Sequence, residues 1–238
     1  MLRTKAIYTF VFAIITAFVC LQFFGRDQLA HIFEVLTVPA IALLYLSNVR
    51  DRSYFILTSL IAFSLSEALS FFTLSGYYDF DYYIGNGLYM IAYLALILEI
   101  ISHLNVKTLL RHFKLHLLIL VILNIYANYL LLDIVKDYVP ETDYSIEVVY
   151  NIFTILLFTV SMLNYFFRFD KKSLFLFLGA LFITFSEALQ IAYYYPLASE
   201  ANNLKIIFTL LIFSAYYLFY KQAGLQYNRV LVFSNETC

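Results

Sequence analysis

Eight stretches of about 20 mostly apolar residues, each long enough to cross a bilayer, fill nearly the whole chain. They run over 6–24, 30–48, 54–73, 84–103, 115–134, 147–166, 173–192 and 203–221. Hydrocarbon offers no partner for a backbone N–H or C=O, so a spanning segment must satisfy its own hydrogen bonds as a helix or close into a barrel. Continuous apolar runs of this length are helical. The expected fold is all-α, a polytopic membrane protein with eight transmembrane helices. Residues 1–225 form the membrane domain and 226–238 a cytoplasmic tail. Hydrophobic residues make up 63% of the chain and charged residues 13%, against about 45–50% and about 25% in globular domains. That leaves no room for an appreciable soluble domain.

Charge fixes the expected orientation. Of 15 Lys and Arg, twelve fall at the N-terminus, in the even-numbered loops or in the tail, from Arg3 and Lys5 to Lys221 and Arg229. Arg26, Lys136 and Lys205 are the exceptions. Basic residues accumulate on the cytoplasmic side, so both termini are expected in the cytoplasm. The setting that fits is a bacterial inner membrane. A net charge of −1 implies no nucleic-acid partner. The 22 Tyr, with no Trp in the chain, must supply the interfacial aromatic anchors. Cys20 and Cys238 make no disulfide framework. The first apolar segment is too long for a signal-peptide core and reads as a retained helix.

One motif is duplicated. Ser66-Glu67-Ala68-Leu69 returns as Ser186-Glu187-Ala188-Leu189 at an offset of 120, which also aligns Ser53-x-Phe55 with Ser173-x-Phe175 and His31-Ile32-Phe33 with Asn151-Ile152-Phe153. This pattern predicts two parallel four-helix repeats, about 1–110 and about 111–225, related by an axis along the membrane normal. Each glutamate lies 13 or 14 residues into its segment, roughly 20 Å up at 1.5 Å per residue. Both carboxyls then sit in the outer half of the bilayer.

An ionisable residue inside a membrane segment is costly and is a functional candidate for that reason. Glu67 lies on a polar stripe with Ser64 and Ser70, and Glu187 on one with Thr184 and Gln190. Spacing of i, i+3, i+6 puts each set on one helix face. Such stripes are expected to face the bundle interior. Carboxyls in low dielectric resist ionisation, so one of a pair can keep its proton as a general acid while the other orients water. Asn86, Tyr89 and Tyr93 on the fourth helix, and Asn124 and Asn128 on the fifth, are candidates to line the same space. Glu34 and His31 stand near the outer end of the second helix. Glu99, beside His103, reads as a solvated or snorkelling residue. No His/Cys cluster has zinc spacing, and no glycine-rich phosphate loop is present, so neither metal nor cofactor is expected. Lys205 and Lys221 stand at helix ends, away from the mid-helix position a retinal Schiff base needs.

The chain resembles the YhhN-like family, which includes the lysoplasmalogenases, proteins of similar length with eight predicted spans. The resemblance rests on Phe63-Ser64-Leu65-Ser66-Glu67-Ala68-Leu69, on Gly179-Ala180-Leu181-Phe182 followed by Ser186-Glu187, and on Leu36-Thr37 with Ile41 to Leu46. Both family aspartates are glutamate here. Glu34-Val35 stands where the family has Lys-Pro, and Asn86 falls in the region of a family histidine. The resemblance implies cleavage of the vinyl-ether bond of a lysolipid, with Glu67 and Glu187 as the acid–base pair and a membrane lipid or lysolipid as partner. Two other classes fit the residues alone: a non-catalytic binder of a lipid or another apolar ligand, and a small proton-coupled transporter. The separation of the two glutamates, and what lies between them, discriminates among the three.

Overall fold

The computed structural model describes residues 2–72, 78–104, 114–195 and 202–225. The described residues form eight α-helices: α1 (Leu2–Phe23), α2 (Asp27–Asn48), α3 (Tyr54–Phe72), α4 (Tyr78–Ser102), α5 (Lys114–Val135), α6 (Glu141–Arg168), α7 (Lys171–Tyr194) and α8 (Asn202–Ala223). Seven are long and apolar enough to cross a membrane. The eighth, α3, is described with its side chains over Tyr54–Leu69, an apolar stretch. The expected tail, 226–238, lies outside the described residues.

The helix borders follow the apolar runs except at two places. α4 begins at Tyr78 and α6 at Glu141, about a turn and a half earlier than hydropathy alone places them. The reason is a polar contact between their first turns. The Tyr82 hydroxyl donates to Glu147 at 2.6 Å and the Tyr83 hydroxyl donates to Asp143 at 2.7 Å. Glu147 and Asp143 are both buried, each held by its tyrosine hydroxyl. Stop and start signals set other borders. Gly25 takes φ +68° in the turn after α1, where a residue with a Cβ would be strained. Phe169 closes α6 in the left-handed region, and Asp170 then caps α7, its side chain accepting from Ser173 N–H at 2.7 Å.

The helices alternate in direction, and the start of α1 meets the end of α8 at one end of the bundle, the terminal end. Tyr8 of α1 and Tyr220 of α8 share a hydrogen bond of 2.6 Å, and Asn48 of α2 donates to Tyr220 at 3.0 Å. Packing is closest between neighbours in sequence, above all α3 with α4 and α7 with α8. Helices distant in the chain also meet: α4 lies on α6, α8 lies on α2 and on α1, and α5 touches α7. Among the described residues the main core cluster is built around Ile41, Leu44, Tyr45, Leu96, Tyr93 and Tyr216, and Leu120, Leu163 and Phe167 form a small second one. α5 stands at the edge, where Leu118, Ile119, Ile122 and Ile125 are exposed. In water this surface would be a liability, whereas lipid tails are as apolar as leucine.

Candidate functional site

The polar stripes of α3 and α7 divide their work by residue type. Ser64 donates to the Leu60 carbonyl at 2.6 Å and Thr184 to the Ala180 carbonyl at 3.0 Å. A hydroxyl four residues past a carbonyl has this local partner available. Neither side chain lines a cavity with the glutamates, which corrects the expectation for both. Ser66 and Ser186 reach between helices: Ser66 donates to the Gly85 carbonyl of α4 at 2.9 Å, and Ser186 to the Phe208 carbonyl of α8 at 2.8 Å. The Ser70 side chain lies outside the described residues.

The two glutamates line one cavity of about 180 Å³. Glu67, partly buried, accepts from the Tyr89 hydroxyl at 2.7 Å. Glu187, 8% exposed, accepts from the hydroxyl of the fully buried Tyr93. Tyr89 and Gln190 line the cavity too, and the Gln190 amide donates to Ser186 at 3.3 Å. Tyr93 stands behind Glu187 and is not part of the lining. Phe63, Phe208, Ile212 and Phe213 form the apolar wall.

Sequence reasoning missed a second polar group in the same cavity. Glu34 of α2 accepts from Thr209 of α8 at 2.8 Å, and its other oxygen lies 3.2 Å from His31 Nδ1 and 3.4 Å from Lys205 Nζ. Lys205 is 17% exposed and Glu34 12% at the side chain. A buried charge is retained when it is paired and hydrogen-bonded, and Glu34 is both. All four residues line the cavity. Lys205 is an exception to the basic-residue bias, and that exception was the available signal: a lysine on the sparse side of the membrane has a reason to be there. Three carboxyls thus share one space with a single lysine and a single histidine. Among the described residues no group of three or more His, Cys, Asp or Glu could hold a metal ion.

The remaining candidates lie elsewhere. Asn86 donates to the Tyr82 carbonyl on its own helix at 2.9 Å and does not reach the cavity. Asn124 of α5 pairs with Thr159 of α6 at 2.9 Å. Asn124 and Asn128 line a separate, mostly apolar groove of about 430 Å³ between α5 and α6. The two share an i, i+4 face, but spacing cannot say which neighbour a face meets. Glu99 is 3% exposed rather than solvated. It accepts from the Ser53 hydroxyl and lies 3.6 Å from His103 Nε2, so it ties the start of α3 to the end of α4 at the terminal end of the bundle.

No protein-family model, curated protein or solved structure matches this chain.

Proposed function

We propose that the chain is a membrane-embedded hydrolase of an ether-type lysolipid, built from two parallel four-helix halves with both termini in the cytoplasm. The observation that carries this reading is the shared cavity: Glu67 and Glu187, one from each copy of the duplicated motif, line the same space. Two carboxyls on one cavity, exchanging acid and base roles, can supply the proton transfers that vinyl-ether hydrolysis requires. One carboxyl gives its proton to the alkene carbon distal to oxygen, leaving an oxocarbenium ion. A water molecule adds to that ion while the other carboxylate takes the water's proton. The hemiacetal then collapses: its hydroxyl gives its proton to the first carboxylate, its C–O bond to the glyceryl oxygen breaks, and the second carboxyl, now protonated, protonates that oxygen, releasing a fatty aldehyde and an alcohol. The pair ends the cycle with the proton count it began with. General acid–base help of this kind is worth about 10²–10⁴-fold in rate.

Two further features support the reading. The resemblance to the YhhN-like family points to the same chemistry, and replacement of both family aspartates by glutamate keeps the carboxyls. The lysine that the resemblance would place on the second helix is replaced at Glu34-Val35, yet Lys205 brings an ammonium group to Glu34 from α8. The cavity therefore keeps a cation from a different helix. The test is release of aldehyde from a panel of lysoplasmalogens by purified protein in detergent. Release that depends on Glu67 and Glu187 supports the hydrolase. Binding of lysolipid without release supports a non-catalytic lipid-binding protein instead.

A further inference from the structure

A volume of about 180 Å³ is below the roughly 300–1,000 Å³ of small-molecule sites. The carboxyl cavity takes a polar fragment and leaves no room for the long alkyl chain of a lipid. On the far side of Phe213 lies a second space, a groove of about 400 Å³ between α1 and α8 floored by Ile41 of α2. Val11 and Ile15 form one wall and Leu210 the other, with Tyr8 and Tyr217 toward the terminal end. Phe213 lines both the cavity and the groove. From Leu210 to Tyr217 the groove follows α8 for two turns, about 10 Å at 1.5 Å per residue, running from the cavity toward the middle and the terminal half of the bundle.

We propose that the α1–α8 groove is the alkyl-chain subsite of the carboxyl cavity, with the Phe213 ring as the partition between the polar and apolar parts of the ligand. The proposal rests on the reading of the cavity as a lipid site, but not on turnover. Its occupant is a single alkyl chain whose polar end enters the cavity. Phe213, which lines both the cavity and the groove, is what distinguishes this groove from the α5–α6 groove. That groove is similar in size and as apolar, but none of its lining residues also lines the carboxyl cavity. The α5–α6 groove is therefore an internal control for adventitious lipid.

The experiment is photo-crosslinking of the intact protein in nanodiscs, using an ether-type lysolipid with a diazirine on its alkyl chain and peptide mapping of the adducts. The expected result is adducts concentrated on Val11, Ile15, Leu210 and Phe213, in excess of those on Ile125 and Ile152. Leu210→Trp fills the groove from α8 and should abolish that labelling. Ile15→Trp does the same from α1, should the first variant fold poorly. Equal labelling of the two grooves, or unchanged labelling in both folded tryptophan variants, overturns the subsite. Crosslinking reads occupancy without reaction, so the two proposals fail separately. A labelled groove without aldehyde release sinks the hydrolase and keeps the groove, while release without labelling does the reverse.

Discussion

Ser66 and Ser186 each donate to a carbonyl of the following helix, at 2.9 and 2.8 Å, and Ser64 and Thr184 each fold back on a carbonyl four residues earlier. The glutamates between them part company. Glu67 is partly buried and takes its hydrogen bond from Tyr89, which lines the cavity. Glu187 is more deeply buried and takes its bond from Tyr93, which does not. The cause lies on the partner helices. Four residues on from the accepting carbonyls stand Tyr89 on α4 and Ile212 on α8, and eight residues on stand Tyr93 and Tyr216. Tyr89 and Tyr93 of α4 thus serve the two carboxyls, Glu67 and Glu187. The hydroxyl groups that hold helices together make the same contacts at both occurrences of the motif, while the contacts of the carboxyls differ. Scaffolding and chemistry can thus be separated residue by residue inside one motif.

The sharpest way to break this comparison is at the carboxyls. Glu67→Gln and Glu187→Gln keep shape and remove the acid, so each should lower aldehyde release by about 10²–10⁴-fold while the folded yield stays near that of the unmodified protein. Full activity in either variant would mean that the copies share a scaffold but not a reaction. A smaller effect is expected at two glycines that differ in packing. A Cβ added at Gly179 would lie 2.5 Å from the Phe219 ring, whereas one at Gly85 would meet Ser66 Oγ at an ordinary 3.5 Å. Gly179→Ala should cost about 1–3 kcal/mol through overpacking, and Gly85→Ala should be close to neutral. Thermal unfolding in detergent reads both. The smallest effect is expected where the halves agree. Ser66→Ala and Ser186→Ala each remove one interhelical hydrogen bond, worth about 0.6 kcal/mol on average within membranes. Similar small losses in the two variants fit equivalent scaffolding, and a much larger loss in one would break the equivalence.

Helices and the glutamate pair were legible in the sequence because both signals are local. A 20-residue apolar run declares a span, and a carboxyl inside it stands out against its neighbours. The group around Glu34 was not legible, since His31 and Glu34 come from α2 and Lys205 and Thr209 from α8, helices brought together only by tertiary packing. Counting Lys205 among the orientation signals hid it as a cavity residue. Ser64 and Thr184 were overread for the opposite reason: a polar residue on a helix can be satisfied by its own backbone, so polarity alone does not send it to a site. Asn124 and Asn128 were placed on the correct face of a helix that faces a different groove.

The central claim is that Glu67 and Glu187 open to one cavity at the end of the bundle opposite the termini. In a chain with Cys20 and Cys238 replaced by serine, Glu67→Cys and Glu187→Cys are introduced singly into oriented membranes. Each is then challenged with a small membrane-impermeant thiol reagent from either side. The account predicts that both cysteines react from the side opposite the termini and that Glu34→Gln or Lys205→Met changes both rates together. Reaction of only one cysteine from that side, or of either from the terminal side, would contradict it.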